Sequence, residues 1–140
     1  MSDVLEPSAA SISVWRVVLV DDHPLFRDGM ARLFAYEDDF EVVAEASSGE
    51  EAVERVREAM PDIVLMDLSL PAPGGNDATQ KIKRELPATG VVILSTSEDE
   101  EDLFAAIRSG AAAFILKDVG PEDLVEIIRR VRSEEHTSEL

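Results

Sequence analysis

Five side chains in this sequence have the types needed to receive and hold a phosphoryl group: Asp21, Asp22, Asp67, Ser95 and Lys117. Three neighbouring carboxylates repel one another, and their ionisation is disfavoured without a cation. An oxygen-rich site without thiolates suits a hard divalent ion, and Mg²⁺ in particular takes a few carboxylates, waters and a phosphate oxygen. An aspartate can act as the nucleophile that becomes an aspartyl phosphate. A lysine supplies a flexible point charge that pairs with a carboxylate at rest and with a phosphoryl oxygen afterwards, and a serine hydroxyl supplies one more donor. Phosphoryl transfer chiefly requires positioning and charge neutralisation, and this set offers both. Taken singly, each residue has an ordinary reading: an aspartate after a strand is a turn or cap residue, and a lone lysine is solvated surface. The conjunction carries the argument.

Convergence requires elements that deliver all five to one place, and the hydropathy pattern supplies them. Apolar, β-branched runs occur at 14–20, 40–45, 63–66, 91–94 and 113–116, and four of them stop at Asp21-Asp22, Asp67, Ser95 and Lys117. Such continuous runs predict buried strands. Helical patterns lie between and after them. Phe26, Met30, Leu33 and Phe34 share one face, as do Ala52, Val53, Val56 and Ala59, then Ala78 and Ile82, then Leu103, Ala106 and Ile107, and finally Leu124, Ile127, Ile128 and Val131. Ser48 to Glu51 and Ser97 to Glu100 read as capping boxes, Gly110 as a helix C-terminal glycine, and Pro121 as a first-turn proline. Strict β/α alternation with continuous apolar strands predicts a parallel sheet covered on both faces. In such sheets ligands bind outside the carboxyl ends of the strands, which is where these residues fall.

Composition narrows the classes of function. With 140 residues, 45% of them hydrophobic, the chain suits one domain with one core. A net charge of −17 opposes binding to phosphate backbones and to anionic lipid, so neither DNA nor membrane is an expected partner of this polypeptide itself. The absence of cysteine excludes disulfides, thiolate metal sites and a cysteine nucleophile. Residues 1–13 are small, polar and aperiodic and predict a flexible leader without the basic and apolar regions of a secretory signal. A cytoplasmic setting is expected. No apolar run approaches the ~20 residues that span a bilayer.

The motifs Val20-Asp21-Asp22-His23-Pro24, Asp62-Ile63-Val64-Leu65-Met66-Asp67-Leu68-Ser69-Leu70-Pro71, Gly75, Ser95 and Leu116-Lys117-Asp118 resemble the receiver domain of two-component response regulators, in wording most like the NarL/FixJ (LuxR-type) subfamily. The resemblance covers roughly Arg16 to Val131. It implies a single flavodoxin-like, doubly wound α/β domain with a five-stranded parallel sheet in the order 2-1-3-4-5. It also implies roles. Asp67 would accept phosphate from a histidine kinase. Asp22 and Asp67 would bind Mg²⁺ in a pocket completed by Asp21 and by the Ser69 backbone carbonyl. Lys117 would hold the phosphoryl oxygens. Ser95 and Phe114 would form the switch pair, and Ser69 and Ser97 would tune the lifetime of the aspartyl phosphate. Without the resemblance, Phe114 reads as a core aromatic and Ser97 as a cap. Asn76 departs from the apolar residue usual in the family after Gly75, and reads as a helix N-cap.

The resemblance further implies homodimerisation through the fourth helix, fifth strand and last helix. Members of the subfamily usually carry a C-terminal helix-turn-helix domain, so transcriptional output through a DNA-binding domain missing from this chain is expected. A stand-alone receiver that signals by protein contact is the alternative. A small-molecule phosphohydrolase fits less well, because enzymes of the haloacid dehalogenase type place the nucleophile after the first strand, usually as Asp-x-Asp. A degenerate receiver serving only as an interaction module is opposed by the complete set of site residues. Residues 14–131 are expected to form the receiver. The segment Arg132 to Leu140 lacks apolar periodicity and is similar to the translation of a common sequencing adapter, so it is expected to be a non-native tail.

Overall fold

The structure, a computed structural model, describes residues 13–138, with side chains to 134. The expected leader therefore lies outside the described residues except for Ser13. Five strands alternate with five helices: β1 (Trp15–Val20), α1 (Pro24–Ala35), β2 (Phe40–Ala46), α2 (Gly49–Ala59), β3 (Ile63–Asp67), α3 (Gly75–Glu85), β4 (Gly90–Ser95), α4 (Glu100–Ser109), β5 (Ala113–Leu116) and α5 (Pro121–Ser138). The strands form one parallel sheet in the order β2-β1-β3-β4-β5, as the sequence and the resemblance lead one to expect.

Alternation along each strand assigns side chains to two layers. Val17 and Leu19 of β1, Ile63 and Leu65 of β3, and Val92 and Leu94 of β4 pack with Met30 and Phe34 of α1 and with Leu124, Val125, Ile128 and Val131 of α5. On the opposite face Val18, Val20, Val64, Met66, Val91 and Ile93 pack with Ala52, Val53 and Val56 of α2, Ala78 and Ile82 of α3, and Ala106 of α4. Both faces are buried, which is why the strand sequences are continuously apolar. The register pairs Val20 with Met66, Asp67 with Leu94, and Ser95 with Leu116. The carboxyl ends of β1, β3, β4 and β5 thus finish level with one another.

Several local expectations are corrected. Ser97 does not cap α4. The cap is Asp99, whose carboxylate accepts from the Glu101 N–H at 3.2 Å, while Ser97 Oγ accepts from the Asp99 N–H one step earlier. Ser97 and Asp99 each accept from the N–H two residues on, and because the helix begins at Glu100 the residue in the N-cap position is Asp99. Asn76 is not an N-cap either. Gly74 occupies that position and Asn76 lies in the first turn of α3, with its Oδ1 buried and unpartnered. Ile107 faces solvent, 56% exposed, beside Phe104. The slot against the sheet admits only the small Ala106 and Ser109, and this turns the bulkier pair outward. Ser48 does accept from the Glu51 N–H, but the Glu51 carboxylate returns to Ser47 rather than to Ser48. Finally, α5 does not stop at Val131. It runs on to Ser138 without an apolar stripe, and the Arg132 guanidinium reaches the Ser13 and Asp39 carbonyls.

Two glycines test this packing in opposite directions. A Cβ on Gly75 would run into the Asp67 carbonyl and the Leu68 Cα at the start of α3. A Cβ on Gly29, mid-way along α1, would meet nothing within 4 Å. In urea unfolding, Gly75→Ala is expected to lower stability by about 2 kcal/mol through overpacking, and Gly29→Ala to raise it by about 1 kcal/mol through helix propensity.

Candidate functional site

Asp21 leaves β1 with its N–H bonded to the Ala46 carbonyl, so the chain turns while still tied to β2. Its side chain is fully buried. The His23 N–H donates to Asp21 Oδ1 at 2.8 Å, closing a tight turn that presents Asp22 beside it. Arg27, one turn into α1, donates to the Asp21 carbonyl at 2.6 Å and to Glu45 at 3.0 Å, clamping this loop to β2. Asp67 ends β3, and the next N–H, of Leu68, still bonds to Leu94 of β4. The Asp67 carboxylate is buried and accepts from the Ser69 N–H at 3.2 Å.

Lys117 follows β5, its N–H bonded to the Ser95 carbonyl. Its ammonium donates to Asp21 Oδ2 at 2.9 Å and lies 3.3 Å from Asp67 Oδ1. It also sits 4.5 Å above the Phe26 ring, a favourable cation–π placement. Ser95 is buried at the end of β4, where its Oγ accepts from the Ser97 N–H at 2.9 Å.

The structure therefore brings Asp21, Asp22, Asp67 and Lys117 into one cluster, with Ser69 contributing its N–H and Ser95 on the adjacent strand end. Phe114 is half-buried on β5, in register with Ile93 rather than Ser95, and packs with the α2–α4 layer. Ser97 enters through its backbone. The sequence reading overlooked His23, Arg27 and Phe26. The His23 Nδ1 stands 3.1 Å from Asp21 Oδ1 and 3.3 Å from Asp22 Oδ1, a closeness that the unbroken Asp-Asp-His string already permits.

Charge in this pocket is uncompensated, since one ammonium faces three carboxylates. Burial, chiefly, pushes the Asp67 carboxyl above its ordinary value and the Asp21 charge adds to this, outweighing the Ser69 N–H and Lys117. For Lys117 burial works downward, but the hydrogen bond to Asp21 and the charges of Asp21 and Asp67 prevail and hold the ammonium above its ordinary value. Two buried carboxylate oxygens, Asp22 Oδ1 and Asp67 Oδ2, have no hydrogen-bond partner. Ligand atoms of Asp21, Asp22, His23 and Asp67 all lie within 4.8 Å of one another. Such an arrangement has one position for a cation and one uncommitted carboxylate oxygen for chemistry.

Comparison with known proteins agrees with this geometry. Residues 17–129 match the response regulator receiver domain family. The oxygen regulatory protein NreC of Staphylococcus aureus is 45% identical over 118 residues, which cover 83% of this chain and 54% of that protein. The crystal structure of a LuxR-family two-component response regulator from Aurantimonas is 38% identical, with a TM-score of 0.83 over 87% of each chain. The receiver domain of the putative response regulator NarL from Mycobacterium tuberculosis is 33% identical, with a TM-score of 0.80 over 86% of this chain and 98% of that one. The chain belongs to the response regulator receiver domain family, and within it to the NarL/FixJ (LuxR-type) kind. It spans about half the length of the curated relatives it matches.

Because folded Asp67 holds its proton more tightly than the unfolded chain does, folding stability falls as pH rises from the ordinary aspartate value through the raised one. The full penalty is present at neutral pH. In EDTA at pH 7, Asp67→Asn is expected to be more stable than the unsubstituted protein, because the buried charge is removed. The gain should shrink as pH falls through the raised value and vanish below the ordinary aspartate value, about pH 4. Urea unfolding across pH measures it, and an unchanged or lowered midpoint at pH 7 would contradict the charge account.

Proposed function

We propose that this domain is a phosphoacceptor switch in which Asp67 takes a phosphoryl group from the phosphohistidine of a histidine kinase. The observation that carries the reading is the inequivalence of the two Asp67 oxygens. Oδ1 is engaged by Lys117 and the Ser69 N–H, whereas Oδ2 is buried without a partner. Oδ2 is free to form the new O–P bond as the donor's P–N bond breaks and the imidazole leaves. Lys117 already lies beside Asp67 and shifts its charge to the arriving phosphoryl oxygens. Ser95, one strand away, supplies a hydroxyl once its own acceptor role towards the Ser97 N–H is relaxed.

The donor set suits Mg²⁺: carboxylates, no thiolate, and an uncommitted buried oxygen on Asp22. Asp22 and Asp67, with Asp21 behind them and the Ser69 carbonyl alongside, are the residues that would hold it. When bound, it supplies neutralisation of the negative charge that phosphorylation concentrates there.

Phosphate at Asp67 then favours the state in which Ser95 and the β4–α4 loop close on it, a population shift felt along α4, β5 and α5. Ser95 and Phe114 serve as the switch pair, and Ser69 and Ser97 as the positions that set how long the phosphate persists. Phe104 and Ile107 on α4 are 52% and 56% exposed, and this apolar pair supports a homodimer or a protein partner on that face. In the intact protein the output is transcriptional, through a DNA-binding domain outside this chain.

Incubation with a ³²P-labelled kinase, or with labelled acetyl phosphate and Mg²⁺, is expected to give an acid-stable, base-labile acyl phosphate on the unsubstituted protein and none on Asp67→Asn. Equal labelling of the two would overturn the assignment.

A further inference from the structure

We propose that Phe26 is a positioning residue for the phosphoryl transfer: its ring face holds the Lys117 ammonium at the strand ends and keeps hold of it while the ammonium passes from the resting carboxylates to the phosphoryl oxygens. The inference rests on the reading of Asp67 as the phosphoacceptor and of Lys117 as the cation that follows the phosphoryl group.

The sequence sets the ring in place. Met30 and Phe34 are buried and fix α1 against the sheet. Phe26 lies one turn ahead of Met30 on the same helix face, so it comes up at the carboxyl edge of the sheet, where α1 begins. It is half-buried and packs only in part against the core. The Lys117 ammonium stands 4.5 Å from the ring centroid. An ammonium carries three donors. Among the described residues its partners are Asp21 at 2.9 Å, Asp67 at 3.3 Å and this ring. The Lys117 side chain is 13% exposed, so water supplies little of what the ring supplies. Beside the pair lies an apolar hollow of about 320 Å³, lined in part by Leu25, Phe26, Met30, Lys117 and Leu124. A smaller aliphatic side chain at position 26 would widen that hollow and leave the ammonium's apolar flank without attraction.

The two kinds of contact respond differently to movement. A hydrogen bond to a carboxylate is strict in distance and angle and fails when the ammonium shifts. Attraction to a ring face reaches out to about 6 Å from the centroid and is stronger where water is excluded. At rest the two carboxylates dominate, and the ring adds little to what they provide. As the phosphoryl group forms on Asp67, Lys117 gives up Asp21 to follow the new oxygens, and the ring is the contact that survives the move. Its share of the hold on Lys117 is therefore larger in the transition state than at rest. Only an interaction of that kind accelerates the chemical step.

The test measures the second-order rate constant for phosphorylation of the full chain by labelled acetyl phosphate with saturating Mg²⁺. Phe26 is compared with Phe26→Leu, with Phe26→Tyr, and with 3,5-difluoro- and 3,4,5-trifluorophenylalanine inserted at position 26. Fluorine withdraws charge from the ring face and nearly keeps the ring's shape, so a ring that merely fills space gives a flat series. Expected is a stepwise fall along the fluorine series, reaching about tenfold for the trifluoro ring and for Phe26→Leu, with Phe26→Tyr within about twofold of the parent. A rate constant unchanged along the fluorine series overturns the proposal. So does a Phe26→Leu rate within about twofold of the parent, or a Phe26→Tyr rate as low as that of Phe26→Leu. Failure of the underlying reading looks different: Asp67→Asn is then labelled at the parent's rate, whichever residue stands at position 26.

Discussion

The interaction on which the rest depends is the contact of one ammonium with two buried carboxylates. Lys117 Nζ joins Asp21 at 2.9 Å and Asp67 at 3.3 Å, and thereby links the ends of β5, β1 and β3. A buried carboxylate without a partner is unfavourable by several kcal/mol, and three together are tolerable only if a cation is always near. Lys117 supplies one positive charge and leaves the group short by the rest. On the proposed reading, the resting domain is thereby held in a state that would favour a second cation and then a phosphoryl group, each arrival relieving what the previous state lacked.

Everything else in the fold places Asp21, Asp22, Asp67 and Lys117. Parallel strands buried on both faces end level, so residues far apart in sequence meet at one edge. The loops that follow are kept from sagging by specific bonds: Arg27 on the Asp21 carbonyl, the Leu68 N–H on Leu94, and the Lys117 N–H on Ser95. Gly75 lets α3 start directly against the Asp67 carbonyl. A stability cost concentrated at one edge of an otherwise apolar sandwich is what a switch requires, because ligands can then shift the balance of states by relieving it.

Much of this was legible in the sequence, for a physical reason. Asp21, Asp67, Ser95 and Lys117 each terminate a continuous apolar run, and a run of that kind has one stable use, as a strand with both faces covered. The strand order and site roles came with the family motifs rather than from periodicity. What the sequence did not disclose depended on competition between near neighbours. Ser97 and Asp99 are both competent caps, and only the path of the loop chooses between them. Ile107 obeys the helical period, yet Ala106 and Ser109 take the core slot because the space admits small side chains. Asn76 lies one position further into α3 than its cap chemistry suggested. His23 stood in the sequence only as one residue of the Asp-Asp-His string, and its approach to two carboxylates follows from the turn that the His23 N–H closes on Asp21.

The proposed phosphoacceptor is Asp67, with no other nucleophile forming the bond to phosphorus. The direct measurement is reduction of the phosphorylated protein with borohydride, followed by peptide mass spectrometry, since an aspartyl phosphate is converted to homoserine while free carboxylates are not. Homoserine at position 67 alone is the expected result. Homoserine at Asp21 or Asp22, or a phosphoryl group retained on His23, would contradict the account.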